Sequence, residues 1–108
     1  MDRLTLLLAA LLAPFFAMAQ TDQNPGDARV GRALAVQTCS ECHLIPGAQA
    51  PTARNNAPPF QQLANQPMTT APGLRSLLRA PHAGMPMFRL TNAEMDDLVA
   101  YVLSLRRG

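Results

Sequence analysis

Two cysteines and a histidine lie within five consecutive residues, Cys39-Ser40-Glu41-Cys42-His43, and this spacing constrains the fold more than any other feature. Side chains three and four residues apart share one face of a helix, so both thiols and the imidazole can reach one group. Cys-x-x-Cys-His is the pattern of covalent c-type haem attachment. It predicts one haem c, held through the sulfurs of Cys39 and Cys42, with His43 as an axial ligand of the iron.

Two other interpretations of the cysteines remain open at this point. A redox-active dithiol would use the same pair, but that class has a long helix after the motif, and Pro46-Gly47 ends any helix at once. A zinc site would have enough ligands, yet a histidine adjacent to a cysteine does not match the usual ligand spacing. Its ligands would be Cys39, Cys42, His43 and His82.

Size and charge exclude several classes of protein. The chain has 108 residues, and only 22 large apolar side chains (Leu, Val, Ile, Met, Phe, Tyr) follow Ala19. A domain this small gains little from its own core, so a cofactor would help it to fold. Nine arginines, no lysine and seven acidic residues are scattered along the chain. This excludes the clustered basic patch of a nucleic-acid-binding protein.

The first 19 residues have the features of a signal peptide. An apolar stretch from Leu4 to Phe16 follows Arg3, and Ala17-Met18-Ala19 fits the small-residue site of signal peptidase. We expect cleavage after Ala19 and export to the periplasm. The mature chain would have no membrane span, because no later apolar run approaches the roughly 20 residues that cross a bilayer. An uncleaved N-terminal anchor is the alternative.

After a flexible segment at residues 20–26, residues 27–108 are predicted to form one all-α domain. Eight prolines between Pro46 and Pro86 exclude a long helix or a regular sheet there. Apolar residues nevertheless recur at helical spacing, which favours loops and short helices around a cofactor over a low-complexity tract. Helices are predicted at 27–38, at 59–65, at 73–80 and after the Thr91-x-x-Glu94 capping box, with a last buried stripe of Met95, Leu98, Val102 and Leu105.

The residues alone leave the second axial ligand open. Met85 and Met87 flank Pro86, which favours extended backbone, so both side chains point the same way and periodicity does not separate them. The other candidates are better explained as a loop residue, a core residue and a solvated or propionate-side histidine; they are Met68, Met95 and His82.

Four further sequence motifs accompany the haem motif. They are Gly31, eight residues before Cys39, Ala57-Pro58-Pro59-Phe60 with Leu63, Met85-Pro86-Met87-Phe88 with Leu90-Thr91, and residues 97–102 with Ser104-Leu105. In these residues the chain resembles the small class I cytochromes c of bacteria, over nearly all of 27–105. The resemblance implies three to four short helices wrapped around one covalently bound haem c.

The resemblance also implies site residues. The family's ligand is the methionine before proline, which is Met85, with Met87 as the alternative. The carbonyl of Pro58 matches the acceptor for the second ring nitrogen of His43, and the long spacing between them requires residues 47–56 to loop outward. The chain lacks the family's propionate-binding tryptophan, so its substitutes would be Arg54, Arg75 or Arg89, unless these are solvated surface residues.

One helix contact is expected to differ from the family. Gly31 would let the first and last helices cross closely, with Tyr101 as the aromatic residue at that crossing. Ala35 stands where a second aromatic residue is common, so this contact is expected to be weaker.

The function implied is that of a non-enzymatic, periplasmic single-electron carrier. Its redox partners would be a dehydrogenase or membrane complex on one side and an oxidase on the other. A thioether ligand implies a fairly high reduction potential. Two alternatives remain: a haem subunit bound permanently to a periplasmic dehydrogenase, and a five-coordinate haem protein that binds small ligands.

Overall fold

The computed structural model describes residues 25–53, 55–82 and 84–107. The predicted signal peptide and residues 20–24 lie outside these ranges. Four helices follow one another: α1 (Ala28–Thr38), α2 (Phe60–Asn65), α3 (Ala71–Arg79) and α4 (Asn92–Ser104). The described ranges contain no strand, so the predicted all-α class is confirmed. None of these four helices is long and apolar enough to cross a bilayer.

The first helix has the predicted bounds, with its cap at Asp27. One carboxylate oxygen of Asp27 accepts hydrogen bonds from the N–H groups of Arg29 and Val30, at 2.8 and 3.4 Å. The N–H of Asp27 donates to Oδ1 of Asp97 on α4 at 2.8 Å. This residue therefore caps α1 and also ties its start to α4. The helix ends at Thr38, and its C-cap is Cys39, the first residue of the haem motif.

Helices α1 and α4 cross with their backbones in contact. A Cβ atom on Gly31 would lie 1.9 Å from the carbonyl oxygen of Asp97 and 2.9 Å from the Cβ of Tyr101, so only glycine fits. The close approach predicted at Gly31 is confirmed. A Cβ on Gly26 would lie 1.9 Å from the carbonyl oxygen of Asp96. The end of the segment predicted as flexible therefore packs against α4.

The last helix forms most of the core. Its capping box is complete, with the Glu94 N–H donating to Oγ1 of Thr91 at 3.1 Å and the Thr91 N–H donating to Oε2 of Glu94 at 2.7 Å. The buried face is wider than the predicted stripe, because α1 covers one side of α4 while α2 and α3 cover another. Leu105 is the C-cap and is only partly buried. The buried residues are Met95, Leu98, Val99, Ala100, Tyr101 and Val102.

The two middle helices are short, as predicted. α2 has Pro59 as its N-cap and buries Phe60. α3 begins two residues before the predicted Gly73, because the Thr70 hydroxyl caps it and Pro72 lies in its first turn, where a missing N–H costs nothing. No residue of α3 is buried.

Tyr101 packs against α2 instead of against a second aromatic residue on α1. Its ring centroid lies 6.3 Å from that of Phe60, while Ala35 is fully buried at 0% exposure. The Tyr101 hydroxyl is buried and has no hydrogen-bond partner among the described residues. Burial raises the pKa of this phenol, although the nearby Arg32 acts in the opposite direction.

Replacing Gly31 with Ala should destabilise the haem-loaded protein by about 2 kcal/mol or more. Overpacking of this kind costs about 1–3 kcal/mol, and the opposing atoms belong to the backbone of α4. Urea unfolding followed by circular dichroism would measure the change. As a control, Ala33→Gly on the exposed face of α1 should cost about 1 kcal/mol or less. Unchanged or increased stability of Gly31→Ala would contradict the close crossing.

Replacing Thr91 with Ala should cost about 1 kcal/mol, because it removes the hydroxyl that caps α4. The same unfolding experiment measures it. Thr52→Ala is the matched control, since Thr52 is exposed and outside the helices, and should change stability by less than about 0.5 kcal/mol. Equal effects of the two substitutions would show that the capping box contributes nothing.

Candidate functional site

The Cys-x-x-Cys-His motif forms an additional helical turn after α1. The N–H groups of Cys42 and His43 both donate to the carbonyl oxygen of Cys39, at 3.2 and 2.9 Å. Cys39 and His43 are each 8% exposed, and Cys42 is half-buried. All three side chains line one cavity. The motif therefore presents two sulfurs and one imidazole to a common space.

A backbone carbonyl orients the imidazole of His43. Nδ1 lies 2.7 Å from the carbonyl oxygen of Pro58. A carbonyl oxygen only accepts, so Nδ1 must carry the proton, and Nε2 keeps a lone pair for a metal. The ring of Phe60 contacts the imidazole edge-on, with centroids 5.3 Å apart and planes at 61°. Position, tautomer and ring plane of His43 are thus all determined by neighbouring groups.

The chain between the motif and Pro58 runs along the surface and returns. Most of the described residues from 47 to 56 are exposed. Two backbone hydrogen bonds hold the ends of this loop: the N–H of Ala53 donates to the carbonyl of Glu41, and the N–H of Phe60 donates to the carbonyl of Leu44, each at 3.0 Å. The loop therefore absorbs the extra residues without displacing Pro58 from His43.

Two cavities adjoin the motif. The first has about 550 Å³ of empty space, including some open to solvent, and its lining is almost entirely apolar. The second, about 880 Å³ by the same measure, is more polar. Leu63, Leu74, Leu77, Leu78, Val99 and Val102 are among the apolar residues of the first. The two cavities share four lining residues: Cys39, His43, His82 and Met85.

These residues fit a covalently bound haem. Two thiols lie beside an imidazole whose Nδ1 is held by a carbonyl, which leaves Nε2 to face a metal, and the space next to them is lined by leucine and valine side chains that suit a porphyrin face. His43 is a buried polar residue. Binding to a haem iron would explain why a histidine is buried at this position.

The methionines occupy very different places. Met85 is half-buried and lines both cavities. Met87 is 68% exposed and lines neither, Met68 is 86% exposed, and Met95 is 6% exposed within the core. His82 is exposed but also lines both cavities. Only Met85 and His82 among the five candidates therefore lie beside the site.

The arginines do not gather at the site. Arg75 pairs with Asp96 at 2.6 Å and so ties α3 to α4, and it lines neither cavity. Arg89 is exposed and lines neither cavity. Arg54 lies outside the described residues. Sequence reasoning missed Asn55 and Asn56, which line the second cavity; the Asn-Asn pair just before Ala57-Pro58 was the available signal.

The two alternatives for the cysteines find no support. Burial, together with the neighbouring Cys42, raises the pKa of the Cys39 thiol to about 11, whereas a redox-active cysteine needs a lowered pKa. Among the described residues no group of three or more His, Cys, Asp and Glu side chains is placed to hold a metal ion.

Comparisons with known proteins agree with the geometry. The family described as "Cytochrome c" matches residues 28–106. Cytochrome c-552 of Bradyrhizobium diazoefficiens is 38% identical over 90 residues, which cover 83% of this chain and 86% of that protein. No solved structure matches the chain. The chain therefore belongs to the cytochrome c family, and it is an electron-transfer protein whose cofactor is covalently bound haem c.

Proposed function

We propose that this protein is exported to the periplasm and carries single electrons between a dehydrogenase or membrane complex and an oxidase. Cys39 and Cys42 would hold the haem through thioether bonds, and His43 and Met85 would be the two protein ligands of its iron. The carbonyl of Pro58 keeps the His43 imidazole in the tautomer that binds iron.

The position of Met85 supports this proposal most strongly. It lines both cavities with His43, whereas the neighbouring Met87 is 68% exposed and lines neither. A haem with both axial positions filled passes electrons, and a haem with one open position binds small ligands. The placement of Met85 thus favours a carrier over a five-coordinate ligand-binding protein.

The haem iron, when bound, supplies the one-electron redox chemistry. The residues around the site shield it from water and hold its histidine ligand. The leucine-rich and valine-rich wall excludes water from one face. The Pro58 hydrogen bond and the Phe60 ring hold the imidazole in place, so little reorganisation accompanies electron transfer. No general acid, base or nucleophile is needed. A thioether in place of a second imidazole raises the reduction potential.

Replacing Met85 with Ala should abolish the charge-transfer band between methionine sulfur and ferric iron and lower the reduction potential. Absorption spectroscopy and redox titration would measure both. Met87→Ala is the matched control and should keep the band, because its side chain lies outside both cavities. The opposite pattern, with the band lost only in Met87→Ala, would overturn the assignment.

Extraction of the periplasm tests whether the protein is a free carrier or a bound subunit. Low ionic strength is used because salt weakens contacts between charged surfaces and would separate a weakly bound complex. A carrier should elute from gel filtration as a single small haem protein, with an N-terminus at Gln20 by mass spectrometry. Co-elution with a dehydrogenase at fixed stoichiometry would favour the subunit instead. Recovery in the membrane fraction with Met1 retained would contradict cleavage after Ala19.

A further inference from the structure

His82 is a metal-binding side chain at the haem site without a role in the proposed function. It is one of the four residues that line both cavities. The other three are bonded to the haem or its iron in that proposal: Cys39 through sulfur, and His43 and Met85 as axial ligands. A second imidazole therefore borders the same two cavities as the Met85 side chain.

His82 and Met85 are the two ends of one turn. The N–H of Met85 donates to the carbonyl oxygen of His82 at 3.1 Å. Gly84, inside the turn, has a φ of +89°, and a Cβ there would meet no atom within 4 Å. Glycine is thus needed for its backbone conformation and not for space. The turn places both side chains on the same two cavities.

This turn lies outside the helices. α3 ends at Arg79 and α4 begins at Asn92, so both residues lie in the connection between them. His82 is exposed and Met85 is half-buried, which means that neither is held in the core.

Within the described ranges, few other side chains could compete with His82 as a ligand. It contains no lysine. Met87 and Met68 are largely exposed, Met95 is packed in the core of α4, and none of the three lines either cavity. Imidazole is a strong ligand for haem iron. His82 is thus the best-placed donor whenever the methionine sulfur is not bound.

We propose that His82 is a replacement axial ligand, which binds the iron on the side of Met85 when the Met85 sulfur is absent. This inference rests on the proposed His43 and Met85 ligation. The replacement gives two imidazole ligands and lowers the reduction potential relative to a thioether. Loss of Met85 then converts the carrier into a low-potential, closed form rather than into an open ligand-binding haem.

The test compares three haem-loaded variants: Met85→Ala, Met85→Ala with His82→Ala, and Met85→Ala with Met87→Ala. Mass spectrometry verifies haem attachment and circular dichroism verifies folding; His82→Gln replaces His82→Ala if the latter disturbs the fold. Electron paramagnetic resonance of the ferric state reports spin and ligand type. Titration with free imidazole measures how far an internal ligand already occupies the iron position that Met85 has vacated.

Met85→Ala should be low-spin with two nitrogen ligands, and adding Met87→Ala should change nothing. Adding His82→Ala should remove the low-spin signal and tighten the binding of free imidazole about tenfold or more, because an internal ligand present in nine of ten molecules weakens an external one by that factor. These results together would support the proposal.

Two outcomes would overturn it. Met85→Ala could have the same spin state and imidazole affinity with and without His82. Alternatively, Met85→Ala could keep a sulfur charge-transfer band that disappears with Met87→Ala, which would make Met87 the replacement. The proposed function is tested separately, on the unmodified protein. If its spectrum lacks the charge-transfer band from sulfur to ferric iron, Met85 is not a ligand.

Discussion

The hydrogen bond between Nδ1 of His43 and the carbonyl of Pro58 joins two segments of the site that lie 15 residues apart in the sequence. His43 follows α1, and Pro58 stands two residues before α2. Since a carbonyl only accepts, the bond decides the tautomer as well as the ring position. It also places Phe60 against the imidazole, and Phe60 in turn contacts Tyr101 of α4. One bond thus links His43 to the core.

The other constraint is the crossing of α1 and α4. A chain with few large apolar side chains gains stability by bringing backbones together, since close packing increases dispersion contacts. Gly31 and Gly26 permit this approach, and the bond from Asp27 to Asp97 adds a polar contact at the same edge. The opposite side of α4 remains available to line the haem site through Leu98, Val99 and Val102.

Features encoded by adjacent residues were predictable. The capping box needs only Thr91 and Glu94, and the haem motif needs five residues, so both follow from local spacing. Features that depend on tertiary placement were not. Met85 and Met87 are equivalent in an extended chain, and only the packed loop separates them. Arg75 was a candidate for a propionate, but Asp96 lies 21 residues away and no local pattern links the two.

The third helix is the least buried of the four helices. α3 is capped at Thr70 and tied to α4 through Arg75 and Asp96, yet none of its residues is buried. Its leucines instead line the first cavity. A helix of 9 residues is too short to be stable by itself in water, so it needs an apolar partner. Leu74 and Leu78 find part of that partner in the protein core, against which they pack. A porphyrin face in the first cavity would cover more of the same leucines, so we expect haem attachment to stabilise α3 further. The segment that carries His82 and Met85 begins where this helix ends.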